Sequence, residues 1–501
     1  MKTIKITNGI TRKPEWAMAE PVNFELGAGE HIAIVGRNGA GKSMLVDMIT
    51  SRHPLFPGMA HYDFGEGAHE LVSDNIKYIA FRDTYGGDND RTYFLQQRWN
   101  QMEIDSETPT VGIKLEEAFK LAGQDTPERR QLQRHIYELF RLDSLLDKYI
   151  ILLSSGELRK FKLAASLFSS PRVLIMDNPF IGLDAETRGQ LTQLLAMLSE
   201  ERHLQIIIVL SKTDEIPDFI THIVEVKDMQ VLPKTLRQTY LESRCPTPPH
   251  VLSDRKRQAI LDLKNDEDNK GEIKTENPSD RVVIGFRKVC IRYGERTILK
   301  DLDWEVRSGE HWVLSGQNGS GKSTLLSLVC ADNPQSYACD INLFGHQRGS
   351  GESIWEVKRH IGYVSPEMHR SYQRDMPVLR IVASGLKDSV GLYAKATEEE
   401  LEVCRWWLRI FGIEHLADHS FMQLSSGEQR LALLTRAFVK DPDLLILDEP
   451  LHGLDNQNRR LVKDVIEAFC QRQNKTLIFV SHYQEEWPDI IDHELHLTRH
   501  G

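Results

Sequence analysis

The chain has 501 residues, 40% of them hydrophobic and 27% charged, with a formal net charge of −11 at pH 7. That length allows two to four domains of about 100–200 residues each. The composition is that of an ordinary globular chain, and the acidic balance disfavours nucleic acid as a partner. Six scattered cysteines form no C-x-x-C pair, so neither a zinc site nor a disulfide framework is expected. The N-terminus has no secretory apolar region, and no apolar run approaches the ~20 residues that span a bilayer. A cytoplasmic chain is expected, reaching the inner face of a membrane only through a partner.

The first informative element is the apolar run Ile32 to Val35, a predicted strand. It leads into Gly36-Arg37-Asn38-Gly39-Ala40-Gly41-Lys42-Ser43, which fits G-x-x-x-x-G-K-[ST], and a helical pattern follows. Glycines in such a loop let backbone N–H groups close around phosphate oxygens, and the helix N-terminus adds partial positive charge. Lys42 is then placed for the β and γ phosphates, and Ser43 for Mg²⁺. Arg129 to Leu145 has the spacing of an amphipathic helix, and Leu153-Ser154-Ser155-Gly156-Glu157 follows. Next come the predicted strand Val173 to Asp177, Asn178, the triplet Gly182-Leu183-Asp184 and the pair Ser211-Lys212.

The same order then returns. Trp312 to Leu314 leads into Gly316-Gln317-Asn318-Gly319-Ser320-Gly321-Lys322-Ser323-Thr324. Glu398 to Leu408 is a second amphipathic pattern, and Leu424-Ser425-Ser426-Gly427-Glu428 repeats the earlier pentapeptide. Leu444 to Asp448 ends in the same acid, here followed by Glu449, and Asp455 and Ser481-His482 complete the series. Leu153 and Leu424, Asp177 and Asp448, and Asp184 and Asp455 are separated by the same interval. The chain is therefore an internal repeat. Apolar runs alternating with helical patterns predict a mainly parallel α/β sheet in each half, with a helical subdomain inserted before each pentapeptide. The expected domains are 1–228 and 281–501. Between them, 229–280 is expected as a linker with a short helix at Arg255 to Lys264 and a polar, aperiodic stretch from Asn265.

The two phosphate loops, Leu-Ser-Ser-Gly-Glu, the Asp-ended strands, Gly-Leu-Asp and Ser-His in this order resemble the ATP-binding cassette (ABC) ATPases. The resemblance covers nearly everything outside the linker. The tandem arrangement, with Ile361-Gly362-Tyr363-Val364-Ser365 in the second half, is similar to the ModF group, tandem ATPases associated with molybdate transport loci. It implies the P-loop NTPase fold, ATP and Mg²⁺ as cofactors, and a head-to-tail sandwich in which each ATP lies between one P-loop and the opposite signature pentapeptide. Both halves are on one chain, so the pairing would be intramolecular.

Carried over residue by residue, one site combines Gly316, Asn318, Gly319, Gly321, Lys322, Ser323 and Thr324 with Ser154 and Gly156 of the other half. Tyr293 stands where an aromatic stacks on adenine, Asp448 and Ser323 organise Mg²⁺, Glu449 polarises water, and His482 contacts the γ-phosphate. The other site combines Gly36, Asn38, Gly39, Gly41, Lys42 and Ser43 with Ser425 and Gly427, and Asp177 shares Mg²⁺ with Ser43. Here Asn178 replaces the glutamate and Lys212 the histidine, and Trp16 is only an approximate match to the stacking aromatic. An amide cannot accept a proton, and loss of a general base lowers a rate by about 10²–10⁴-fold, so the first site is expected to bind ATP and hydrolyse it poorly. The family's glutamine after the next strand, which contacts Mg²⁺ and reports to a permease, is missing from both halves: the places read Val364-Ser365-Pro366-Glu367 and Ile79-Ala80-Phe81-Arg82-Asp83. A molybdenum-related transport ATPase with a permease subunit on another chain is the leading expectation. A ribosome-associated translation factor and an ATP-dependent regulatory switch are the alternatives. Asp266-Glu267-Asp268 and Arg255-Lys256-Arg257 are read as solvated runs, Trp406-Trp407 as helix packing, and the pairs His415/His419 and His496/His500 lack the glutamate of a zinc motif.

Overall fold

The computed structural model describes residues 2–80, 108–150, 153, 155–180, 183, 185–202, 204–211, 216–243, 251–263, 281–293, 296–317, 319–365, 368, 372, 375–387, 396–481 and 483–498. The chain divides into two compact units, Met1–Pro246 and Thr247–Gly501.

In the first unit β1 (Lys2–Gly9), β2 (Val22–Gly27) and β4 (Ala60–Tyr62) form an antiparallel sheet in the order β2-β1-β4. The main sheet runs β8-β3-β7-β6-β5, all parallel, from β3 (Ile32–Val35), β5 (Ile76–Ala80), β6 (Val173–Asp177), β7 (Gln205–Leu210) and β8 (His222–Lys227). Its strands are apolar on both faces because both faces are covered. Alternation sends Ala33, Val35, Leu174, Met176, Ile206 and Ile208 into one core and Ile32, Ile34, Val173, Ile175, Ile207 and Val209 into the other. The second core holds the helix after the P-loop, α1 (Lys42–Ile49). The first holds α2 (Val111–Leu121) and α3 (Pro127–Phe140), the helical subdomain, with α4 (Ser155–Leu167) and α5 (Ala185–Arg202). The helix expected to run from Arg129 to Leu145 ends earlier: Arg141 turns left-handed at φ 52° and closes α3, and a 3₁₀ turn follows at Asp143–Leu145.

The second unit repeats this topology. Beside an antiparallel sheet of β11 (Val282–Tyr293), β12 (Arg296–Arg307), β14 (Asp340–Leu343) and β15 (His346–Gln347), its parallel sheet runs β19-β13-β18-β17-β16. These are β13 (His311–Gly316), β16 (Ile361–Val364), β17 (Leu444–Asp448), β18 (Thr476–Val480) and β19 (His493–Leu497). Around this sheet lie α8 (Lys322–Val329), α9 (Val378–Ala383), α10 (Glu398–Ile410), α11 (Ser426–Phe438) and α12 (Asn456–Cys470). Trp407 of α10 is buried among Phe411, Phe438 and Phe469, as a packing residue.

The stretch expected as a linker is shared between the units. β9 (Gln230–Val231), β10 (Thr235–Leu236) and α6 (Arg237–Glu242) extend the first unit. Residues 251–263, with α7 (Asp254–Leu261), join the second, where Leu252 and Ile260 enter the core. Asp464 of α12 accepts the Val251 and Leu252 N–H groups at 2.6 and 2.9 Å. Lys256, expected in a solvated run, donates to the Arg409 and Ile410 carbonyls at 2.6 and 3.2 Å, capping the end of α10. Desolvation, aided by the nearby Arg409 charge, moves its ammonium below the ordinary lysine value. The segment thus straps α10 to α12. Ile260→Ala lowers the stability of the second unit by about 2–5 kcal/mol, seen as an earlier denaturant transition for that unit alone. The run at Asp266 lies outside the described residues.

Candidate functional site

Each P-loop is shaped by contacts that only glycine allows. A Cβ on Gly36 would lie 2.2 Å from the Val226 carbonyl oxygen, and one on Gly316 would lie 2.3 Å from that of Leu497. The loop therefore presses against the neighbouring strand in both halves. Gly41 and Gly321 turn left-handed at φ 103° and 102° and start α1 and α8. Neither helix has a side-chain cap, so the first-turn N–H groups are available to an anion. Lys42 Nζ reaches across its loop to the Gly36 and Arg37 carbonyls, both at 2.8 Å. Lys322 does the same to Gly316 and Gln317 at 2.7 and 3.0 Å. Ser43 and Ser323 are exposed at the helix starts, whereas Thr324 is buried. Gly39 and Gly319, at φ 77° and 81°, complete the turns, and Asn38 lies half-buried in the first.

Asp177 and Asp448 end their strands in the same register, opposite Val209 and Val480. The residue after each is left-handed: Asn178 at φ 49° and Glu449 at φ 48°. Both backbones are pinned by N–H groups donating at 2.9 Å to the Val209 and Val480 carbonyls. Asparagine tolerates this conformation and glutamate does so at a cost, so Glu449 carries the strain expected at a functional position.

The side chains then differ. Asn178 Nδ2 donates to Asp177 Oδ1 at 2.8 Å, and Asn178 Oδ1 accepts the Ser211 N–H at 3.3 Å. The Tyr78 hydroxyl donates to Asp177 Oδ2 at 3.1 Å. In the second half His452 Nδ1 lies 3.9 Å from Glu449 Oε2. The buried Arg430 donates to the backbone carbonyls of Ser365, Asp448, Glu449 and Pro450. Sequence reasoning passed over Tyr78, His452 and Arg430. The signal for Tyr78 was its repetition as Tyr363: each pairs with the residue two before the strand-end aspartate, Ile175 or Ile446.

In the signature segments, Ser425 caps α11 in a capping box with Glu428, and Gly427 is buried behind it. Gly156 opens α4 so close to α5 that a Cβ would lie 2.7 Å from Thr187 Cγ2. Asp455 caps α12 through the Asn458 N–H at 2.8 Å. Tyr293 ends β11 beside Arg296 of β12, and its hydroxyl accepts from Asn333 at 3.0 Å. Trp16 is stacked on His53 with ring centroids 4.3 Å apart, and Lys13 lies over its ring. Ser154, Asn318 and His482, with Asp184 and Lys212, lie outside the described residues.

The donor set in each half is one strand-end carboxylate, one helix-start hydroxyl and a loop of N–H groups. Among the described residues no group of three or more His, Cys, Asp or Glu side chains is arranged to hold a metal ion. Hard oxygen donors in this number suit Mg²⁺ bound jointly with phosphate oxygens and do not suit zinc.

The ABC transporter family profile matches residues 19–181 and 299–452. The chain is 34% identical to the ABC transporter ATP-binding protein ModF of Escherichia coli (strain K12), over 100% of this chain and 98% of that protein. It is 28% identical to an uncharacterised ABC transporter ATP-binding protein of Schizosaccharomyces pombe, over 99% of this chain and 97% of that one. Among solved structures, the archaeal ribosome recycling factor aABCE1 in complex with the stalk protein aP1 aligns with a TM-score of 0.52 at 18% identity, over 98% of this chain and 87% of that chain. That likeness extends to the fold alone.

Proposed function

Because this chain belongs to the ABC transporter family and is an ABC-type ATPase, we propose that it holds two Mg²⁺-ATP in an intramolecular head-to-tail sandwich and turns over one of them. In the hydrolytic site Lys322 and the loop N–H groups bind the phosphates, Ser323 and Asp448 hold Mg²⁺, and Tyr293 stacks on adenine. Glu449 orients and deprotonates the water, His482 contacts the γ-phosphate, and Ser154 and Gly156 close the site from the first half. Bound Mg²⁺ supplies charge neutralisation across the β and γ phosphates. In the other site Lys42, Ser43 and Asp177 bind, and Ser425 and Gly427 close.

The observation that carries this reading is the orientation of Asn178. Its nitrogen donates to Asp177 and its oxygen accepts a backbone N–H, so nothing at this position takes a proton from water. After incubation with Mg²⁺-ATP and rapid removal of free nucleotide, about one equivalent of bound nucleotide remains ATP while the rest becomes ADP. Equal conversion at both positions overturns the assignment.

The load is proposed on likeness. Identity to ModF along the whole chain supports a molybdenum-related transport or homeostasis role, with a permease on a separate chain and the protein at the cytoplasmic face of the membrane. No helix among the described residues is long and apolar enough to cross a membrane. Fractionation of cells holding the ATP-trapped protein tests this: recovery with membranes supports a permease partner, recovery with ribosomes replaces it with a translation role, and recovery with neither favours a regulatory switch.

A further inference from the structure

The first half contains an arrangement that a merely weakened catalyst does not require. On β6, Ile175 and Asp177 share a face, and Ile175 lies in the core that contains α1. Tyr78 of the adjacent strand β5 packs against that same core, paired in register with Ile175. Its ring carries the Arg52 guanidinium 4.8 Å from the centroid, and its hydroxyl reaches Asp177 Oδ2 at 3.1 Å. Asn178 holds the other oxygen, Oδ1, at 2.8 Å. The carboxylate is therefore bracketed by two neutral donors on the side of the sheet where α1 presents Ser43.

A carboxylate oxygen has two lone pairs, so one accepted hydrogen bond does not bar it from a metal ion or its waters. Such outer partners fix the direction of a ligand. At the equivalent place in the second half, Glu449 has no side-chain N–H to give. Substitution at 178 therefore removes a base and adds a donor in one change.

We infer that Tyr78 and Asn178 are positioning residues that fix Asp177 for Mg²⁺, making the first site a retaining site for a Mg²⁺-nucleoside triphosphate. This rests on the reading that the first P-loop binds Mg²⁺-ATP. The full-length chain carrying Lys322→Ala reports nucleotide binding at the first loop alone, titrated with a fluorescent ATP analogue in Mg²⁺ or in EDTA. The parent binds more tightly with Mg²⁺. Tyr78→Phe, which keeps the ring and its packing, reduces that gain about tenfold, as does Asn178→Ala, and binding in EDTA is unchanged for both. Equal weakening in Mg²⁺ and EDTA shows a structural role only and overturns the inference, as does an unchanged gain in both variants. A parent with no Mg²⁺-dependent gain overturns the underlying reading of the first site instead. Thermal melting of each variant identifies one that fails to fold, and the other then decides.

Discussion

Glu449→Gln lowers ATP turnover by the whole chain about 10²–10⁴-fold, while Asn178→Ala lowers it less than tenfold. The two residues share a strand end, a left-handed backbone and a pinned N–H, so backbone geometry does not separate them. Side-chain chemistry does. Glutamate at 449 accepts a proton and glutamine does not, whereas Asn178 is already an amide with both ends hydrogen-bonded. The glutamine variant keeps the shape and the backbone conformation of the wild type, so it folds and retains nucleotide. Phosphate release against bound nucleotide separates lost chemistry from lost binding. Comparable losses in the two variants would show that both sites turn over and would remove the asymmetry.

The parts legible in the sequence are those whose physics is local. A P-loop needs glycines at fixed offsets within eight residues, and Gly36 and Gly316 fulfil a close approach that no side chain permits. The parallel sheet followed from continuous apolar runs, and the repeat gave both halves one strand order. What escaped depends on distance along the chain. Nothing near Lys256 announces that it caps a helix ending at Ile410, and α7, built mostly of polar residues, offers only Ile260 as a core anchor within the helix. The bond between Tyr78 and Asp177 becomes visible only once β5 is placed beside β6. The left-handed turn at Glu449 runs against the preference of its own residue type, so propensity could not have indicated it.

Arg430→Met destabilises the second unit by about 3 kcal/mol and lowers kcat about 10–100-fold with little change in KM. Arg430 rises from the first turns of α11 and is 7% exposed. Its guanidinium donates to Ser365 O at 3.0 Å, to Asp448 O and Glu449 O at 2.8 and 2.6 Å, and to Pro450 O at 3.3 Å. Methionine fills much of the same volume but strips these carbonyls of a donor in a place water reaches poorly; the Glu449 carbonyl keeps the His452 N–H at 3.1 Å, and any acceptor left unmet carries a desolvation penalty. The kinetic loss has a separate cause. The left-handed turn that aims Glu449 is strained and persists only while its surroundings hold it, and a displacement of about 1 Å at a catalytic group is enough for a 10²-fold loss. Lysine is no remedy, because a single ammonium cannot span acceptors arranged for a planar fork. Arg430→Lys therefore falls close to Arg430→Met in kcat, read by steady-state kinetics beside a denaturant titration. A stability loss with kcat intact would mean that the catalytic turn is held elsewhere. The outcome also bears on coupling. The glutamine that the family resemblance led one to expect after β5 and β16, the strands beside β6 and β17, is absent from both halves. In the second half the carbonyl of Ser365, at that place, is tied through Arg430 to the signature helix and the catalytic turn together. The Ser365 carbonyl and the turn at Glu449 thus share one buried guanidinium as donor.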